Sequence, residues 1–104
     1  MSDVLKGDMP FSHWDTAKDG FLLDVRELFE LAVENVPGRV HIPIGQLRGR
    51  LGELPRDRDI HVICRSGQRA HLETRMLLQK EFKARTVSGG MLSLAHHYLL
   101  EPNQ

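Results

Sequence analysis

Four short β-type runs, Phe21–Val25 (FLLDV), Val40–Ile42, Ile60–Cys64 (IHVIC) and Ala84–Val87, alternate with stretches of helical character, and this alternation limits the fold most. Each run is apolar and bounded by polar residues, the pattern of strands buried on both faces. Residues 69–81 place Leu72, Met76, Leu77 and Lys80 at helical spacing, which predicts an amphipathic helix with Lys80 at its rim. Leu47, Leu51 and Leu54 predict a shorter helix over 46–54, stopped by Pro55. After a Gly89-Gly90 turn, Leu92, Ala95 and Leu99 share one face of a final helix over 91–100. Strands joined through helices imply right-handed crossovers, so the expected fold is α/β, with a mainly parallel central sheet flanked by helices on both faces.

A chain of 104 residues with 40% apolar content supports one packed core, and no apolar run approaches the roughly 20 residues that a membrane-spanning helix needs. Fourteen basic residues balance fourteen acidic ones, which argues against a nucleic-acid scaffold or a membrane-surface binder. Met1–Pro10 mixes Asp3, Lys6 and Asp8 with small apolar residues, unlike a secretory signal, and a cytoplasmic location is expected. Residues 1–20 read as a connector with the first short elements, and 21–104 as the body of a single domain. Trp14, with its apolar body and polar tip, is expected to anchor the amino-terminal segment against the sheet.

One cysteine, Cys64, cannot form an internal disulfide and gives little basis for a tetrahedral metal site. The histidines do not change this: His96 and His97 point to different helix faces, and His13, His41 and His61 are scattered over separate elements. No metal is expected. Cys64 is therefore either a small buried hydrophobe or a reactive thiol.

Its neighbours favour reactivity. Cys64-Arg65-Ser66-Gly67-Gln68-Arg69 stands between the end of a β-run and the start of a helix, where α/β sheets place their active sites. Gly67 can adopt backbone angles closed to other residues, letting successive loop N–H groups turn inward as an anion-binding nest. The helix start adds unpaired N–H donors aimed at the same point, and such surroundings favour the thiolate. A thiolate attacks sulfur, and the same amides would hold a persulfide. Ser66 and Gln68 are expected to act through their backbones, Arg65 to face solvent or attract an anionic donor, and Arg69 to open the helix. Asp24 and Arg26 either brace this loop or act locally, with Arg26 pairing with Glu30 at i, i+4 and Asp24 as a cap. His71, in the first helical turn, is placed to meet an acceptor.

The pattern resembles the rhodanese family of sulfurtransferases over about residues 21–95. Asp24-Val25-Arg26-Glu27 resembles that family's early DVRE element, Val36-Pro37-Gly38 with Ile42-Pro43 its turn and short strand, and Ser88-Gly89-Gly90-Met91 its closing turn. The resemblance implies a rhodanese-like three-layer fold and ping-pong sulfur transfer with Cys64 as carrier and Arg65–Arg69 as cradle. Glu34–Arg39 departs from the family's common Gly-His-Ile-x-Gly-Ala, which bears on the pocket wall. Val4–Asp8 with His13-Trp14-Asp15 is similar to the connector between the flavoprotein body and the appended rhodanese domain in coenzyme A-disulfide reductase-like pyridine nucleotide-disulfide oxidoreductases, and Lys83-Ala84-Arg85 before Ser88-Gly89-Gly90 resembles that subgroup too. That likeness implies a flavoprotein disulfide reductase body as a partner, with FAD and coenzyme A belonging to it and no cofactor in this domain. The chain itself has no G-x-G-x-x-G turn for a dinucleotide.

The expected activity is transfer of sulfane sulfur from thiosulfate, polysulfide or a persulfide to a thiol acceptor. The competing class is a non-catalytic docking module for coenzyme A or a partner protein. Arsenate reduction is a third reading. Cell-cycle dual-specificity phosphatases share the fold, but only four residues separate Cys64 from Arg69, one fewer than in their loop, and the tighter ring suits one sulfur atom better than a phosphoryl group.

Overall fold

The computed structural model describes residues 10–32 and 38–94. Outside them lie Val4–Asp8, residues 33–37 with most of the departure from the family turn, and Ala95, His96, His97 and Leu99 of the expected last helix. The described elements are β1 (Phe11–Ser12), α1 (Trp14–Ala17), β2 (Phe21–Asp24), a 3-10 turn (Leu28–Ala32), β3 (Val40–His41), α2 (Ile44–Leu47) running into a 3-10 stretch (Arg48–Glu53), β4 (Ile60–Ile63), α3 (Gln68–Gln79), β5 (Ala84–Val87) and α4 (Gly90–Leu94).

The described strands form one sheet in the order β1-β5-β4-β2-β3, with every pairing parallel. Because β4 is central, all four of its residues are buried, as its Ile-His-Val-Ile composition anticipates. One face carries Leu23, Ile60, Val62 and Ala84 beneath Ala70, Met76 and Leu77 of α3, with Leu47 and Leu54 closing the layer. The opposite face packs Leu22, Ile63 and Val87 against Trp14, Ala17 and Met91. The result is the three-layer α/β arrangement that the alternating pattern implies. No helix among the described residues is long and apolar enough to cross a membrane.

Trp14 anchors the amino-terminal segment: its ring is buried and its Nε1–H donates to the Gly90 carbonyl at 2.9 Å. The segment before Phe21 thus contributes an edge strand and a core residue to the same body. β1 has only two residues, too short for any periodic signal.

Three helical expectations need correction. The 46–54 segment is not one helix but an α-turn followed by a 3-10 stretch, interrupted at Arg50 (φ −126°, ψ 22°). Gly49 and Gly52 lower helix propensity there, while Leu47 and Leu54 still reach the core. Leu72, assigned to the buried face of α3, is 63% exposed; Ala70, Thr74, Met76 and Leu77 are buried instead. Small residues let this helix lie close to the sheet, and the Thr86 hydroxyl satisfies that of Thr74 at 2.8 Å. Leu92 is likewise 52% exposed, and Met91 fills the core in its place.

His61 is the polar member of β4. Its Nδ1 lies 2.9 Å from Ser12 Oγ, and its ring leaves no room for a side chain at Gly20. Burial holds His61 below its ordinary value of 6.5, Asp59 opposing and Arg85 adding to the effect. The unfolded chain therefore takes up a proton before the folded domain does, so stability should fall as pH drops through 6.5 toward the lowered folded value. Chemical denaturation between about pH 7.5 and pH 5.5 should show this loss, and His61→Gln should flatten it. An unchanged slope in that variant would assign the effect elsewhere.

Candidate active site

β4 ends at Ile63, and Cys64 is the first residue beyond it, at the carboxyl edge of the sheet. The chain then turns through Arg65-Ser66-Gly67 into α3. Gly67 takes φ +104° and ψ −15°, a conformation that side-chain-bearing residues rarely adopt. That turn aims its N–H inward: Gly67 N donates to Cys64 Sγ at 3.0 Å and Ala70 N at 3.3 Å. Two peptide dipoles, one from the loop and one from the first turn of α3, thus converge on the sulfur. The Ala70 donor falls one residue past the expected cradle, because a helix start leaves its first N–H groups unpaired for several residues.

The sulfur is also deeply placed. Cys64 is 0% exposed and its side chain belongs to the core cluster beneath α3. The loop carbonyls face the other way: the Cys64 oxygen accepts from Met91 N at 2.8 Å and the Arg65 oxygen from Leu92 N at 3.0 Å. The start of α4 therefore grips the outside of the loop with its own unpaired donors. A Cβ on Gly90 would fall inside contact distance of the Cys64 carbonyl oxygen and 2.8 Å from that of Arg65, at φ +55°. Only glycine lets α4 come this near.

Arg65 is exposed, as expected, and so are Ser66 and Gln68. The Arg69 guanidinium meets both Glu30 carboxylate oxygens at 2.7 Å and also feels the charge of Cys64. This bidentate pair directs two of the guanidinium's donors to a carboxylate. Hydrogen bonding from Arg69 holds Glu30 down to about 2, with burial opposing and the Glu27 backbone N–H adding. Arg69 is raised in turn, first by that hydrogen bond.

The expected Arg26–Glu30 side-chain pair does not form. Arg26 instead meets Asp24 through Nε and Nη2, at 3.0 and 2.8 Å, with both residues buried, and donates to the Glu30 backbone oxygen at 3.4 Å. Asp24 also accepts the Arg26 N–H at 3.0 Å, the local capping role considered for it, and lies 3.2 Å from Arg39 Nε. The two alternatives for Asp24 and Arg26 merge: a local turn fixes Arg26, Arg26 holds the Glu30 backbone, and Glu30 clamps the start of α3. No local signal in the sequence exposes the Glu30–Arg69 contact, since 39 positions separate the partners.

His71 lies beside Phe11, ring centroids 6.3 Å apart. It lines a pocket of about 430 Å³ together with Phe11, Gly67, Leu72, Val87 and Gly89. Phe11 and Leu72 escaped attention in the sequence, one as part of a connector and the other as a supposed core residue.

A family model described as "Rhodanese-like domain" matches residues 12–97. A sulfurtransferase of Allochromatium vinosum is 31% identical over 83 residues, covering 79% of this chain and 78% of that protein. A Bacillus subtilis protein named for sulfur carriage, YrkF, is 40% identical over 62 residues, covering 60% of this chain and 34% of its own length. Among solved structures, reduced CoADR-RHD of Bacillus anthracis superposes with a TM-score of 0.79 at 34% identity, over 90% of this chain and 18% of that one. The chain thus spans about a third of YrkF (34%) and under a fifth of CoADR-RHD (18%).

Two outcomes test the geometry. Gly90→Ala should destabilise the domain by about 3 kcal/mol, because the new methyl group meets backbone oxygens that cannot move aside; denaturant titration measures this. Glu30 contributes stability that is complete above its ordinary 4.5 and disappears as pH falls from 4.5 toward about 2. Glu30→Gln should lack that acid transition, whereas a wild-type-like acid profile would show the pair to be energetically silent.

Proposed function

Since the chain belongs to the rhodanese-like domain family, we propose that it carries sulfane sulfur as a persulfide on Cys64. The observation that carries this reading is the convergence of Gly67 N–H and Ala70 N–H on Sγ, at 3.0 and 3.3 Å. Relatives named as a sulfurtransferase and as a sulfur carrier support sulfur transfer in general.

The proposed reaction runs in two halves. The Cys64 thiolate attacks the outer sulfur of thiosulfate, polysulfide or a persulfide; a new S–S bond forms, the donor's S–S bond breaks, and the leaving sulfite or thiolate departs with the electron pair. The persulfide then lies among the same peptide N–H groups, which stabilise its negative charge. A thiol acceptor attacks the terminal sulfur, and Cys64 leaves as thiolate. These steps draw on the thiol and backbone dipoles. Asp24, Arg26 and Glu30 act as positioning residues that fix the start of α3, while Arg65 is exposed to solvent.

The likeness to the Bacillus anthracis protein favours a flavoprotein disulfide reductase body as partner. FAD and coenzyme A would then belong to that body. Full burial of Cys64 favours a second reading, in which the domain docks coenzyme A or a partner protein without chemistry.

Mass spectrometry after incubation with thiosulfate, polysulfide or an organic persulfide distinguishes the two. Sulfur carriage predicts a cyanide-labile addition of one sulfur at Cys64. Cys64→Ser, nearly isosteric, should lose the addition and all turnover while keeping the fold. Undiminished turnover in that variant, or no addition from any donor, refutes the carrier reading.

A further inference from the structure

A pocket of about 430 Å³ lies beside the cysteine loop, lined by Ser66, Gly67 and Gln68 of that loop but not by the buried Cys64 itself. Its size falls in the range of small-molecule sites. Gly67 is common to both features: it lines the pocket, and its N–H reaches Cys64 Sγ at 3.0 Å. A molecule seated against Gly67 is one backbone unit from the sulfur.

The chemistry of the walls is unlike that expected for an inorganic dianion. Phe11, Leu72 and Val87 supply apolar surface, and none of the described lining residues is Lys, Arg, Asp or Glu. Phe11 and Leu72 are 50% and 63% exposed although they stand on a folded edge strand and a packed helix. The nearby guanidinium of Arg69 is engaged by Glu30 through two contacts of 2.7 Å, and Arg65 does not line the cavity. Inside the pocket, then, an inorganic dianion finds no Lys or Arg among the described lining residues and no use for the apolar walls.

We propose that this pocket selects an organic persulfide, or the corresponding thiol acceptor, whose arm is apolar, with Phe11 and Leu72 as specificity-determining residues. The inference rests on the sulfur-carrier reading and names the substrate class of that site. In the forward half-reaction, the Cys64 thiolate attacks the terminal sulfur of R–S–SH. The Cys64–S bond forms, the S–S bond of the donor breaks, and R–S⁻ leaves with the electron pair. The proton stays on the transferred sulfur. The arm R occupies the pocket throughout, so apolar contact made there persists into the transition state and raises kcat/KM.

Benzyl persulfide and cysteine persulfide serve as probes, one with an apolar arm and one with a zwitterionic arm. The wild-type protein should prefer the benzyl donor by about tenfold or more in kcat/KM, and Leu72→Ser should lower that preference by about tenfold. Exposure of Leu72 keeps the substitution compatible with folding, and Phe11→Ser repeats the test from the facing element. Equal use of the two persulfides by the wild type, or an unchanged preference in both variants, overturns the assignment. Inorganic polysulfide separates the two layers of argument: if it loads Cys64 while the benzyl preference is missing, only the pocket assignment fails. If no donor loads Cys64, the sulfur-carrier reading itself fails.

Discussion

Everything at the carboxyl edge of this sheet depends on how the peptide groups of one short loop are divided between two directions. The N–H groups of Gly67 and Ala70 turn inward to Cys64 Sγ, while the carbonyls of Cys64 and Arg65 turn outward to the N–H groups of Met91 and Leu92. Each of these four groups has a partner, as buried backbone requires. The positive φ of Gly67 makes the inward turn possible, and the missing side chain of Gly90 lets α4 seat against the outside. Preorganised dipoles of this kind need little rearrangement when charge develops on the sulfur.

Charge around the loop follows a different rule from the one its composition suggests. Two arginines near a cysteine look like an anion trap, yet Arg69 faces Glu30 and Arg65 faces solvent. Arg26 is held by Asp24 beneath the same turn. A buried ion pair is weak evidence for stability in itself, but losing either partner leaves a desolvated charge, so the pair fixes geometry firmly. The cationic side chains thus shape the loop's surroundings, and the hydrogen bonds to the sulfur come from peptide N–H groups.

Much of this was legible in the residues. Ile60–Ile63 announces itself as the central strand because both faces are covered, so its apolar run needs no periodicity, whereas Ala84–Val87, carrying Arg85 and Thr86, gives a weaker signal. Gly67 stood out because a turn between strand and helix needs a residue free of Cβ constraints. The buried face of α3 was less legible: it uses Ala70 and Thr74, which carry almost no hydrophobic signal, whereas the conspicuous Leu72 lies outside. Apolar periodicity identifies a core face only when the core, rather than a pocket, is the destination of the large side chains.

The sequence by itself determined the alternating parallel architecture, the position of Cys64 at a strand end, and the turn that a glycine would permit, because these are local consequences of chain stiffness, burial and dihedral freedom. Only tertiary structure decided where the charges go and what surrounds the sulfur. Glu30 meets Arg69 across 39 positions, and Phe11 joins Leu72 and Val87 across three separate elements. Such contacts depend on the order and register in which strands align, which no local pattern of residues encodes.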